Sequence, residues 1–398
     1  MFVKKRQTFL KKEANKREFE YKMLIYLDCN ATTPIDPEVK KVTYQYLSED
    51  FGNSGSRTHD YGTKAKQAVQ KGRDQIASVV MAKREEVIFT SGATESNNLA
   101  ILGLIDYAKK NNLKHIITTQ IEHKAVLEPC AHLQSMGFEV TYLRPDKNGI
   151  IEPNKLQIAL RDDTFLVSIM HINNETGTIQ PLGEYASILK GHNAFFHTDA
   201  AQGFGKEIKA LQDKRIDLVS ISGHKIYAPK GIGALITRRR GYESIPLVPL
   251  MFGGGQERGI RPGTLPVHLI VGLGKAAELA EKECEVRKKH CSKIKEAAFK
   301  AFSSLNYNIN GDKKNTVPHT LNISFPGLDS EAVILLLKDL VAISNGSACT
   351  SQKYEPSHVL KSMGNSDAEA QEALRFSWCY MTEMPNWQEI SDRITTLL

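Results

Sequence analysis

Cysteine is sparse in this 398-residue sequence, and its six copies are scattered at positions 29, 130, 284, 291, 349 and 379. No two of them form a CxxC pair and none has metal-ligand spacing, which excludes a disulfide framework and a structural zinc site. Free thiols without a secretory signal point to a reducing, cytoplasmic location. Long apolar runs are missing too, so no membrane-spanning helix is expected. Residues 1–22 lack the apolar core of a secretory signal, and their acidic residues argue against a mitochondrial transit peptide. Internal repeats and low-complexity linkers are absent. Positive charge is lacking where nucleic-acid binding would need it. Five of the seven net positive charges fall in residues 1–22, where eight Lys/Arg face three Glu. The rest of the chain is close to neutral, so no direct nucleic-acid partner is expected. The first 22 residues read as a basic extension, either disordered or upstream of a start at Met23.

What is present is a regular alternation from about residue 66 to 250. Apolar, β-branched runs at 87–90, 115–118, 139–142, 165–169, 194–197 and 218–221 read as strands, with amphipathic stretches such as 123–136 and 182–191 between them. This predicts an α/β fold with a mostly parallel sheet covered by helices on both faces. From Val267 to about Leu305 a long helix follows, then a strand at 320–325, a helix at 330–340 and an apolar run at 341–344. These predict a smaller α+β C-terminal domain. The expected division is a large domain over 36–283 and a small one formed by 23–35 and 284–398.

Polar residues cluster just after the predicted strands, where open α/β sheets bind ligands. Ser222-Gly223-His224-Lys225 ends one strand, Asp199 another, Asn173-Asn174-Glu175 another, and Glu122-His123 another. Gly92-Ala93-Thr94 precedes a helix expected to begin near Ser96, where exposed N–H groups and the Thr94 hydroxyl suit a phosphate better than a simple cap. An amine, a buried acid and phosphate donors together are what pyridoxal phosphate (PLP) requires. In that reading Asp199 pairs with the pyridinium nitrogen, and Gln202 faces the ring hydroxyl. His123 serves equally as a ring-stacking group or a helix cap, and Arg375 as a carboxylate clamp or a surface ion pair. Cys349 sits in Ser344-Asn345-Gly346-Ser347-Ala348-Cys349-Thr350-Ser351, where small polar neighbours leave the thiol uncrowded, as a nucleophile needs. Cys130, Cys284 and Cys291 read as inert packing residues.

Together these blocks resemble the cysteine desulfurases of the NifS/IscS type, a class-V aminotransferase-like group. The resemblance runs from about Leu24 to Ser377. It also takes in Tyr26-Leu27-Asp28 with Asn30-Ala31-Thr32-Thr33-Pro34, His197-Thr198-Asp199-Ala200-Ala201-Gln202, and Gly253-Gly254-Gly255-Gln256-Glu257-Arg258 with Arg261-Pro262-Gly263-Thr264. It implies the fold type I PLP architecture and a homodimer with active sites at the subunit interface. It makes Lys225 the Schiff-base lysine, Asp199 the pyridinium partner and His123 the stacking residue. Ala93, Thr94, Ser222 and His224 would hold the phosphate, joined by Thr264 of the other subunit. Asn174 and Gln202 would contact the ring, Arg375 and Asn174 the substrate carboxylate. No metal is implied.

The implied reaction turns L-cysteine into L-alanine. Lys225 removes the α-proton, and the Cys349 thiolate takes the substrate sulfur as a persulfide. An acceptor protein, an iron–sulfur scaffold or a thiolation enzyme, then receives it. The stretch to Glu355-Pro356-Ser357 resembles the longer loop of the IscS-like group. Three features depart from the pattern: Ser54-Gly55 in place of Pro and a small residue, Trp378-Cys379-Tyr380 after Ser377, and a short C-terminus. They touch the choice of partner, and leave the chemistry intact. Selenocysteine lyase, aminotransferase and silent-paralogue readings compete; an aminotransferase has no need of Cys349, and a silent paralogue none of Lys225.

Overall fold

The computed structural model describes residues 24–346 and 356–398, so the basic extension and Cys349 lie outside the described residues. A short strand, β1 (Ile25–Tyr26), precedes helices α1 (Pro37–Ser48) and α2 (Asp60–Val79). Asp36 caps α1 by accepting from the Glu38 N–H, and Pro37 takes the first helical position, where no N–H is needed. The alternating region follows: β2 (Val87–Thr90), α3 (Ala93–Leu102), α4 (Ile105–Lys110), β3 (His115–Thr119), α5 (Lys124–Ser135) and β4 (Glu139–Leu143). Next come α6 (Pro153–Ala159), β5 (Thr164–Ser168), α7 (Leu182–Ile188), β6 (Phe195–Asp199), β7 (Leu218–Ser222) and β8 (Gly233–Thr237).

These strands form a seven-stranded sheet in the order β2-β8-β7-β6-β5-β3-β4. Only β8, which the sequence pattern did not single out, runs against its neighbours on either side. The other pairings are parallel. Every residue of β2, β3, β5, β6, β7 and β8 is buried, whereas the edge strand β4 is partly exposed. Helices on both faces of a parallel sheet account for that continuous burial.

The second layer begins with the long helix α8 (Val267–Ala301), followed by β9 (Asn308–Ile309), β10 (Thr320–Ser324), α9 (Ser330–Leu337) and β11 (Val341–Ala342). It ends with α10 (His358–Met363), α11 (Asp367–Gln371), β12 (Ala373–Ser377) and α12 (Trp387–Thr395). β10 pairs antiparallel with β12 and β9, and β1 pairs parallel with β11. Helix α8 runs unbroken through residues 283 and 284 and changes partners on the way. Ile270, Leu273 and Ala277 join the core of the large sheet, while Cys291, Ile294 and Ala298 join a second core around Phe302, Phe376 and Trp387. Trp378 belongs to that second core: its Nε1 donates to the Cys291 carbonyl at 3.0 Å, and its ring meets Trp387 edge to face. Among the described residues no helix is long and apolar enough to cross a membrane.

Candidate active site

The carboxyl ends of β2, β3, β6 and β7 open into a cavity of about 490 Å³. Ala93, Thr94, His123, Asn174, Asp199, Gln202, Ser222, His224, Lys225 and Arg375, all singled out in the sequence, line it. Thr264 does not; it is exposed and outside the cavity of its own chain. Convergence follows from topology, because parallel strands deliver their C-terminal loops to one edge of the sheet.

Helix α3 begins at Ala93, three residues before the start expected near Ser96, so Ala93 and Thr94 occupy its first turn. Gly92 stands at its N-cap with φ +156°, and no side chain caps the helix. The first-turn N–H groups therefore point to the cavity as an anion site. Glu95 turns away, accepting from the Ser91 N–H at 2.7 Å and pairing with Arg261 at 2.8 Å. Across the cavity, β7 ends at Ser222 and a short 3-10 turn carries Gly223 to Lys225. His224 Nδ1 lies 3.2 Å from the Thr32 hydroxyl. Burial, then the neighbouring lysines, push its imidazole down to about 4, so the ring is neutral near pH 7.

Lys225 Nζ donates to the carbonyls of Asn30 and Ala31, the latter at 2.8 Å. Asp199, at the end of β6, is buried; its Oδ2 accepts from Asn97 Nδ2 at 2.7 Å and its Oδ1 from the Ala201 N–H at 2.9 Å. The helix-cap reading of His123 holds, and the same ring faces the cavity. It caps α5, with Nδ1 accepting from the Ala125 N–H at 3.1 Å, and it lines the cavity. Burial lowers its pKa, and Lys225 adds to the effect against the opposing pull of Asp199. The neutral ring then carries its proton on Nε2.

Arg375 is 1 % exposed, which rules out the surface ion pair. Its Nη2 donates to Asp28 Oδ1 at 2.6 Å and its Nη1 to the Asn174 carbonyl at 3.1 Å, while Nε has no partner among the described residues. Asp28, Asn30 and Asn97 are the residues that sequence reasoning did not assign to the site. Asn97 lies one turn beyond Ala93 on α3, a helical spacing that could have placed it there. Asp28 and Asn30 are brought in by pairing with a segment almost 350 residues away.

The cavity fits PLP on its own chemistry. Gln202 Oε1 and Asn97 Oδ1 are buried without partners among the described residues, Gln202 beside a cavity carrying an amine, a carboxylate and a helix N-terminus. The profile of the class-V aminotransferase family matches residues 25–388. The cysteine desulfurase IscS of Vibrio cholerae is 47% identical over 360 residues, 90% of this chain and 88% of that protein. The chain is a cysteine desulfurase of the class-V aminotransferase family. Solved structures agree with the assignment. A NifS-like protein superposes with a TM-score of 0.86 at 35% identity, covering 94% of this chain and 100% of that one. SspA in complex with cysteine superposes with a TM-score of 0.78 at 38% identity, covering 90% and 100%. The desulfurase is a fold type I, PLP-dependent enzyme, and Ala93, Thr94, Ser222 and His224 all line the cavity.

Proposed function

We propose that this chain takes sulfur from free L-cysteine onto Cys349 and releases L-alanine. The observation that carries the reading is the placing of the Lys225 amine, the Asp199 carboxylate and the Arg375 guanidinium on one cavity. PLP, when bound, supplies an electron sink for the substrate α-carbon. Arg375 binds the substrate carboxylate through its fork, with Asn174 beside it. Lys225 Nζ takes the α-proton, and Asp199 keeps a proton on the facing ring nitrogen. His123 would face the ring of the bound cofactor and move a proton through Nε2, and Gln202 would offer its Oε1 to the ring hydroxyl. The Cys349 thiolate attacks the substrate sulfur; the carbon–sulfur bond breaks and a persulfide forms. Gly346, three residues before Cys349, has its carbonyl 3.5 Å from Arg375 Nη1.

In the proposed cytoplasmic homodimer, the exposed Thr264 completes the phosphate site of the second subunit. An acceptor thiolate then removes the persulfide sulfur, for iron–sulfur cluster assembly or for tRNA or other thiolation. The test is alanine release from L-cysteine, with Cys349→Ala run beside the unmodified enzyme. Alanine from the first and none from the second is expected. Equal release from both would refute the role of Cys349, and none from the PLP-loaded protein would refute the reading as a whole.

A further inference from the structure

Residues 27–30 and 377–379 run side by side next to the active site. The Cys29 N–H donates to the Ser377 carbonyl at 3.0 Å, the Ser377 N–H to the Leu27 carbonyl at 2.8 Å, and the Asn30 N–H to Ser377 Oγ at 2.9 Å. This register brings two cysteines together. Both are 1 % exposed, and both pack with Tyr227 in one small buried cluster. The Thr382 hydroxyl, fixed by accepting from the Cys379 N–H at 3.0 Å, lies 3.6 Å from Cys379 Sγ as a further donor.

The third member is Lys206, 9 % exposed. Burial pushes its amine down, and the groups that counter this are the sulfurs of Cys29, Cys291 and Cys379. A buried ammonium needs a counter-charge, and a thiolate at Cys379 would supply one. Cys29, with the Thr382 hydroxyl and the Met381 N–H, holds the Cys379 thiol below the ordinary thiol range. Cys379 and burial push the Cys29 thiol upward. Cys130 and Cys291, also buried, are instead pushed up to about 12.

We propose that Cys29 and Cys379 are a peroxide-sensitive dithiol, Cys379 reacting first and Cys29 resolving it to a disulfide. Their burial limits the oxidant to something close to the size of water, and hydrogen peroxide meets that limit. The Cys379 thiolate attacks one peroxide oxygen; the O–O bond breaks, hydroxide leaves, and the sulfur becomes a sulfenic acid. The Cys29 sulfur then attacks Cys379. The S–S bond forms, the S–O bond breaks, and water departs with the proton of Cys29. The two sulfurs must close to about 2.05 Å. That draws in the segment whose neighbours are Asp28, on Arg375, and Asn30, on Lys225.

The test uses the PLP-loaded Cys349→Ala protein, so that the cross-link is read apart from any desulfurase activity. After graded hydrogen peroxide, free thiols are alkylated under denaturing conditions and non-reduced peptides are weighed. The expected product is a Cys29–Cys379 cross-linked peptide two hydrogens lighter than the reduced pair, restored by dithiothreitol. Lys206→Met should slow its appearance at pH 7 by at least about ten-fold, because the thiolate loses its counter-charge. Recovery of both cysteines alkylated, at peroxide doses that oxidise Cys349 in the unmodified enzyme, would overturn the proposal. So would a cross-link from Cys379 to any other cysteine.

Discussion

Replacing Glu122 with glutamine should stabilise this desulfurase at neutral pH, by an amount that grows as pH rises. The carboxyl is fully buried just before His123. Its Oε1 accepts from the Thr119 hydroxyl and the Met170 N–H, both at 2.8 Å, while Oε2 has no partner. Burial pushes its pKa from 4.5 up to about 8, and the Asp199 charge pushes the same way. The folded chain thus keeps a proton that the unfolded chain gives up. For an acid raised in this sense, stability is intact below pH 4.5, falls as pH climbs, and levels off above pH 8. At pH 7 the gap is about 2.5 units, worth about 3 kcal/mol at about 1.36 kcal/mol per unit. Glutamine is neutral throughout, matches the shape and retains the acceptor toward Thr119 and Met170. For a chain of this length the gain corresponds to about 4 °C in Tm. The assay is urea and thermal unfolding of both proteins, at equal PLP loading, at pH 5, 6, 7 and 8. The curves should nearly coincide at pH 5 and separate steadily above it. If both proteins lost stability in parallel across that interval, Glu122 would be ionised in the fold and the reasoning refuted.

Arg375→Lys replaces a buried fork with a point charge that cannot serve Asp28, Asn174 and a substrate carboxylate together. The KM for L-cysteine should rise about 10- to 100-fold, with a smaller change in kcat; an unchanged KM would remove Arg375 from carboxylate binding. Gly233→Ala puts a methyl 2.4 Å from the Ile221 carbonyl oxygen and 2.6 Å from Gly92 Cα, both backbone. We expect about 1–3 kcal/mol of destabilisation and, in PLP titration of the apo-enzyme, at least about ten-fold weaker binding; unaltered affinity would mean that the Gly92 turn does not position the phosphate. Lys295 donates to the Val317 carbonyl at 2.9 Å, and burial pushes its amine from 10.5 down to about 8. A base lowered in this sense carries its full cost below pH 8 and sheds it as pH rises toward 10.5. Lys295→Met should therefore be more stable at pH 7 by about 2 kcal/mol after the lost hydrogen bond, with the gap closing by about pH 10. Denaturant titrations at both pH values decide it, and a gap that stayed constant would contradict the assignment.

What the sequence determined by itself was the local chemistry of the strand ends. A run such as Leu218–Ser222 followed by Gly223-His224-Lys225 places its polar residues beyond the sheet wherever that sheet is built, because strand length and turn are set by neighbours in the chain. Asp199, His123 and the Gly92 turn were legible for the same reason, and the parallel topology made them converge. Tertiary structure decided the rest. The reversed strand β8 became a strand through its ladders to β2 and β7, and its glycine meets Gly92 only across that pairing. That Arg375 is buried against the cavity and not on the surface depended on its bonds to Asp28 and Asn174, 347 and 201 positions away. Asn97 on Asp199, and Cys29 on Cys379 beside Lys206, were set in the same way. Spacing along the chain carries no record of such contacts. They form only when the burial of two cores brings distant segments into register, and that register is a property of the packed whole.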